Sequence, residues 1–145
     1  MLRLRHQVPV FRSSKETVSG LGARNSLSGV TKQRVAIVIS RSLEDSEEIS
    51  QIKQFLKASQ TRVFVKSWHG EPNLLSLLST LKEIEECQPD FILAVGGGSV
   101  IDGSKIIWML YENPSMYQID ISSLSGRFSL RGYSDFGAIP CTIGS

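Results

Sequence analysis

The stretch Ala94–Lys105 reads AVGGGSVIDGSK and decides the expected fold of this chain. The apolar run Phe91–Val95 leading into it predicts a strand buried on both faces, and the residues from Ser99 to about Tyr111 predict a helix. Three consecutive glycines between a strand and a helix keep side chains away from the backbone and allow unusual backbone angles. The unpaired amides of the first helical turn then form a natural site for a phosphate or pyrophosphate.

Two further strand–helix pairs precede the glycines. The β-branched run Arg34–Ile39 predicts a buried strand, and Leu43–Ser59 carries apolar residues at helical spacing. Thr61–Lys66 predicts the second strand, and Asn73–Glu86 predicts the second helix, with its first residue as the cap. This alternation predicts an α/β fold: a Rossmann-like parallel sheet with helices on both faces.

The remaining segments are expected to complete one domain spanning residues 1–145, with its C-terminal end cut short. Residues 1–19 are expected to form edge strands, and residues 122–132 a loop or a hairpin. Phe136–Ile139 is a candidate fourth strand, since Pro140 would end it.

Composition excludes several classes of protein. Hydrophobic residues make up 41% and charged residues 21% of the 145 residues, which are ordinary globular values. No apolar run reaches the ~18 residues of a membrane-spanning helix. The net charge of +2, from 16 basic and 14 acidic residues, is too weak and too mixed to argue for a nucleic-acid partner. The two cysteines, Cys87 and Cys141, fit a reducing compartment, so we expect a cytoplasmic protein. A removable targeting segment over Met1–Lys15 is the alternative at the N-terminus.

The residues after the glycines have two interpretations. Ser99 and Asp102 have the S-x-x-D spacing of a helix-capping pair, which is favourable with or without a ligand. Capping does not explain three glycines. We therefore expect the pair to cap the helix and the loop to bind a ligand.

The segment GGGSVIDGSK, residues 96–105, resembles the nucleotide loop of the iron-containing (group III) alcohol dehydrogenases, which reads G-G-G-S-x-x-D-x-x-K. The approach Asp90–Val95 is similar to that family's D-x-I-x-A-V. Ile139–Ser145, which reads IPCTIGS, resembles its I-P-T-T-x-G-T segment, with Cys141 in place of the first threonine. The resemblance covers roughly residues 17–145 and implies the NAD(P)-binding domain of such an oxidoreductase.

The resemblance also implies roles for individual residues. The dinucleotide, NADP or NAD, would bind with its pyrophosphate at the backbone amides of Gly97, Gly98 and Ser99 and at the serine hydroxyl. Asp102 would lie towards the nicotinamide and the substrate, and Thr142 would contact the adenosine.

Members of this family continue into a helical domain whose Asp and His residues hold a divalent metal, iron or zinc, against an alcohol or aldehyde. This chain has only His6 and His69, both expected at the surface. We therefore predict no metal ligands and no catalytic residues here, and a chain that is inactive alone. The alternative is a non-catalytic remnant that binds a nucleotide or forms oligomers. The apolar face that packs against the second domain in this family would be exposed here, and we expect it to favour a homo-oligomer.

Ser40 is the candidate for choosing between the two cofactors, because it follows the first predicted strand. A carboxylate there would bind the ribose 2′-hydroxyl of NAD and repel a 2′-phosphate. Ser40 brings no repulsion, and the neighbouring Arg41 can pair with a phosphate, so we expect NADP to be tolerated or preferred. Alternatively, Ser40 caps the helix beginning near Leu43 while Arg41 points to solvent. Trp68 and Trp108 are expected to pack in the core.

Overall fold

The computed structural model describes residues 16–58, 60–115 and 130–141. Four strands and three α-helices alternate along these ranges, with two short 3-10 helices before α1. The strands are β1 (Arg34–Ile39), β2 (Gln60–Val65), β3 (Phe91–Gly96) and β4 (Asp135–Pro140). The helices are α1 (Glu47–Phe55), α2 (Leu74–Cys87) and α3 (Gly98–Glu112), and the 3-10 helices are Ala23–Gly29 and Arg41–Leu43.

All four strands are parallel and lie in the order β2-β1-β3-β4. Ile39 of β1 lies opposite Val65 of β2 and Val95 of β3, and Val95 lies opposite Ile139 of β4. The carboxyl ends of the strands therefore meet at one edge of the sheet. The predicted Rossmann-like fold is confirmed, and the four predicted strands of the parallel sheet each begin and end within one residue of the observed ones.

The sheet is covered on both faces because its central strands alternate their side chains between two cores. One core joins β1 and β3 to α2 and α3, and the other joins them to α1 and the first 3-10 helix. Ala36, Val38, Ile92 and Ala94 belong to the first core, and Val35, Ile37, Leu93 and Val95 to the second. None of the described helices is long and apolar enough to cross a membrane.

Two predicted elements differ from the structure. Helix α1 starts four residues later than the predicted Leu43, because Asp45 takes a left-handed backbone angle (φ 59°) and Ser46 then caps the helix by accepting the amide of Ile49. Glu16–Ser19 is exposed and not a strand, so that part of the predicted edge is wrong. The rest of that predicted edge, residues 1–15, and residues 122–129 lie outside the described residues. The cap at Asn73 is confirmed, since its side chain accepts the amide of Ser76.

Trp68 packs against helix α3 where that helix has no side chain. A Cβ atom placed on Gly103 would lie 2.3 Å from Cζ2 of the indole, which is only 1% exposed. The indole Nε1 donates a hydrogen bond to the carbonyl of Ser99 at 3.1 Å. Trp108 packs on Phe136, with 5.6 Å between ring centroids. Both tryptophans are therefore packing residues, as predicted.

Polar groups at the amino edge of the sheet are satisfied within the chain. The Asp90 carboxylate accepts the amides of Gln33 and Arg34 at the start of β1. The carboxylate of Glu112, fully buried at the end of α3, accepts the amides of Gly132 and Ser134 just before β4. These bonds fix where β1 and β4 enter the sheet.

Replacing Gly103 with alanine should destabilise the fold. The new Cβ atom would lie 2.3 Å from the Trp68 ring, so the ring or the helix must move, which costs ~3 kcal/mol of stability. The higher helix propensity of alanine offsets only ~1 kcal/mol of this. We expect the free energy of unfolding, measured by urea titration, to fall by about 2 kcal/mol. Gly98→Ala in the same helix is the control, since no heavy atom lies within 4 Å of its Cβ position. Equal stability of Gly103→Ala and the unmodified chain would contradict this packing.

Candidate functional site

The carboxyl edge of the sheet brings four loops together. Ser40 follows β1, Lys66 follows β2, the glycine loop follows β3 and Cys141 follows β4. From β1 the chain passes to β2 on one side, whereas β3 lies on the other side of β1. Such a reversal leaves a crevice outside the strand ends, where ligands of open α/β sheets bind. The crevice lies between the ends of β1 and β3.

The glycine loop presents bare backbone at this crevice. Gly96 has φ 153°, and a Cβ atom there would lie 2.9 Å from a methyl group of Val100, so the turn requires glycine. Gly97 is the N-cap residue of α3, with no side chain capping the helix. Gly97 and Gly98 are exposed, and no heavy atom lies within 4 Å of either Cβ position. No side chain therefore blocks the approach to the first turn of α3, whose amides lack partners within the helix, and the loop fits a pyrophosphate.

Ser99 does not cap the helix, so the predicted capping pair is wrong. The N-cap position falls on Gly97, and Ser99 sits within the first turn with its hydroxyl turned to another loop. That hydroxyl donates to the carbonyl of Gly70 at 2.5 Å and accepts from Nζ of Lys66 at 3.1 Å. Asp102 is exposed on α3, and its side chain forms no hydrogen bond or ion pair with another described residue.

Ser40 lies half-buried at the end of β1, beside the crevice. Its hydroxyl lies 2.9 Å from that of Ser42, and its side chain caps no helix, since α1 is capped by Ser46. The alternative interpretation of Ser40 as a helix cap is therefore wrong. Arg41 is exposed and takes part in no ion pair between described residues.

A small cavity of about 210 Å³ opens next to Ser40, between the ends of β1 and β2 and helix α1. Ile39, Val63 and Val65 form its apolar floor. Two acidic residues, Glu44 and Asp45, and one basic residue, Lys53, also line it. The cavity could receive an apolar ring next to charged groups of both signs.

Cys141 lies beside the glycine loop at the carboxyl edge of the sheet. Its amide donates to the carbonyl of Gly96 at 2.9 Å, and its thiol donates to the Glu48 carboxylate at 3.3 Å. Burial, together with the Glu48 carboxylate, raises the pKa of the Cys141 thiol to about 11. The thiol therefore stays protonated at neutral pH and is no nucleophile. Thr142 lies outside the described residues.

The described residues do not fit a metal site. No group of three or more His, Cys, Asp or Glu side chains in ranges 16–58, 60–115 and 130–141 could hold a metal ion. His69 is exposed, as predicted, and His6 lies outside these ranges.

Lys66 is the site residue that sequence reasoning missed. In the sequence it is only the last residue of a predicted strand. The signal that could have found it is a cation at the carboxyl end of a strand in the same parallel sheet as the glycine loop, since such ends meet at one edge.

Comparison with known proteins agrees with this architecture. A protein-family model described as iron-containing alcohol dehydrogenase matches residues 14–145. The chain is 26% identical over 137 residues to the NADPH-dependent butanol dehydrogenase of Clostridium saccharobutylicum, covering 93% of this chain and 35% of that protein. It is 34% identical over 87 residues to the bifunctional aldehyde-alcohol dehydrogenase of Escherichia coli K12, covering 59% of this chain and 10% of that protein.

A solved structure shows the same fold. The chain superposes on the iron-containing alcohol dehydrogenase of Thermococcus thioreducens with a TM-score of 0.69 at 25% identity, over 85% of this chain and 34% of that one. The chain thus spans about a third of the length of this structure and of the butanol dehydrogenase. Because the family model matches nearly the whole sequence and the fold agrees, the chain belongs to the iron-containing alcohol dehydrogenase family.

Proposed function

We propose that this chain is the NAD(P)-binding part of an oxidoreductase that interconverts alcohols and aldehydes by hydride transfer. The observation that carries the proposal is the open N-terminus of α3 at the crevice, with empty space at the Cβ positions of Gly97 and Gly98. Backbone amides at a helix N-terminus bind phosphate, and only a side-chain-free loop lets a pyrophosphate approach them closely.

In this proposal the pyrophosphate binds at the amides of Gly97, Gly98 and Ser99. Ser40 faces the adenosine ribose and Thr142 contacts the adenosine. Asp102, exposed one turn into α3, lies towards the nicotinamide and the substrate. The nicotinamide supplies the hydride, while the protein binds and orients it.

The relatives support this assignment. The butanol dehydrogenase is NADPH-dependent by name, and its similarity extends over 93% of this chain. Because this chain spans about a third of that protein, the reaction and its alcohol or aldehyde substrate are carried over as proposals. The described residues contain no group of three or more His, Cys, Asp or Glu side chains that could hold a metal ion.

We also propose a cytoplasmic location, no nucleic-acid partner, and assembly with further copies of the chain. The two free cysteines support the location, and the net charge of only +2 supports the lack of a nucleic-acid partner. The exposed apolar side chains of Leu21 and Leu75 support assembly.

Replacing Gly98 with valine should abolish dinucleotide binding without unfolding the chain. The valine side chain would project into the space where the pyrophosphate approaches the amides, and it meets no heavy atom of the protein within 4 Å of its Cβ. Calorimetric titration with NADP⁺ should show binding to the unmodified chain and none to Gly98→Val. Gly29→Val is the matched control, because its Cβ position is equally free and lies at the end of the first 3-10 helix. Unchanged affinity of a folded Gly98→Val chain would contradict the site.

NADP⁺ is expected to bind at least as tightly as NAD⁺. The neighbouring cavity is lined by the acidic residues Glu44 and Asp45 and by the basic Lys53. Ser40 offers a hydroxyl and Arg41 a cation to the 2′-phosphate. Ser40→Asp should therefore weaken NADP⁺ binding about tenfold and leave NAD⁺ binding almost unchanged.

Ser79→Asp, on the exposed face of α2, adds the same charge and should alter neither affinity. If NAD⁺ binds the unmodified chain about tenfold tighter than NADP⁺, a gap of ~1.4 kcal/mol, then Ser40 and Arg41 do not select for the phosphate.

A further inference from the structure

We propose that Lys66 is a pyrophosphate-binding residue, with its ammonium group held beside the N-terminus of α3 by the hydroxyl of Ser99. The inference rests on the proposed function, since it adds a group to that same site. It goes beyond the glycine loop because Lys66 belongs to a different strand and its side chain, rather than backbone, would contact the ligand.

The position of Lys66 is fixed at both ends. Its backbone amide donates to the carbonyl of Ile39 at 2.9 Å, which continues the pairing of β1 with β2 by one residue. Its Nζ atom lies 3.1 Å from Oγ of Ser99 and 5.6 Å from the centre of the Trp68 ring. The ring is itself bonded to the carbonyl of Ser99. The half-buried side chain is therefore directed at the first turn of α3.

No acidic side chain among the described residues forms an ion pair with Lys66. The ion pairs found between described residues join other groups: Arg24 with Glu48, and Lys32 with Asp135. The N-terminus of a helix carries partial positive charge, so an ammonium group beside it is electrostatically unfavourable. A bound anion reverses this, because it would be attracted by the helix and by the lysine together. The arrangement is therefore suited to a ligand with more than one negative charge.

The protons around Ser99 point to the same assignment. A serine hydroxyl has one proton, and that of Ser99 is donated to the carbonyl of Gly70. The hydroxyl thus has no proton left for a phosphate oxygen. The ammonium group of Lys66 has three N–H donors. One donates a hydrogen bond to the Ser99 hydroxyl, and the other two can donate to the ligand. Ser99 then binds the pyrophosphate through its amide, and its hydroxyl positions the lysine.

The experiment is a calorimetric titration of the full chain with NAD⁺ and with NADP⁺. We expect Lys66→Met to weaken the binding of both cofactors by about ten- to hundredfold, the scale of a hydrogen bond to a charged group. The loss should shrink as salt is raised, because salt screens the charge interaction in the unmodified chain. Lys66→Arg should recover part of the affinity. Lys82→Met, on the exposed face of α2, removes the same charge and should bind like the unmodified chain.

The role of Ser99 is tested in the same titration. Ser99→Ala should weaken binding less than Lys66→Met, and the double variant should bind no worse than Lys66→Met alone, because the hydroxyl acts through the lysine. Thermal unfolding of each variant shows whether the fold is intact.

The outcomes separate the two proposals. If the unmodified chain binds neither cofactor, the proposed function fails and this inference fails with it. If it binds both and Lys66→Met binds equally well, only the inference is overturned. A loss confined to NADP⁺ would also overturn it, because the lysine would then contact the 2′-phosphate rather than the pyrophosphate.

Discussion

The contact between the indole of Trp68 and the bare backbone of Gly103 holds the candidate site together. Any larger residue at position 103 would push the ring away from α3. The same indole donates to the carbonyl of Ser99, so the loop after β2 and the helix after β3 are joined as one unit. This packing brings the Lys66 ammonium group and the Gly70 carbonyl within hydrogen-bond distance of the Ser99 hydroxyl. Interior packing thereby sets the positions of polar groups at the protein surface.

Polar groups at the two edges of the sheet differ in whether the protein provides their hydrogen-bond partners. At the amino edge, the carboxylates of Asp90 and Glu112 accept the backbone amides at the starts of β1 and β4. At the carboxyl edge, no side chain caps the start of α3, where Gly97 and Gly98 are exposed, and Lys66 has no carboxylate partner among the described residues. Water can bond these exposed amides until a ligand replaces it. The amides and the Lys66 ammonium group are hydrogen-bond donors at the edge where a dinucleotide is proposed to bind.

Sequence patterns predicted the sheet and the glycine loop because local signals dominate there. The β-branched run Arg34–Ile39 and the cap at Asn73 depend on neighbouring residues only, and both are found in the structure. The predicted capping role of Ser99 was wrong because its hydroxyl found a competing acceptor, Gly70, in a distant loop. Lys66 was missed for the same reason: its hydrogen bond to Ser99 is a tertiary contact, which no local spacing encodes.

The position of Trp68 has an optical consequence. The emission of an indole depends on the electric field around the ring. The Lys66 ammonium group lies 5.6 Å from the centre of this ring, and the indole N–H donates to the Ser99 carbonyl in the first turn of α3. Trp108 donates to the carbonyl of Ser134, next to the start of β4 at the opposite edge of the sheet. The chain thus contains one fluorophore beside the crevice and a second that serves as an internal reference. A negative charge arriving at the crevice would change the spectrum of the first and leave that of the second nearly constant.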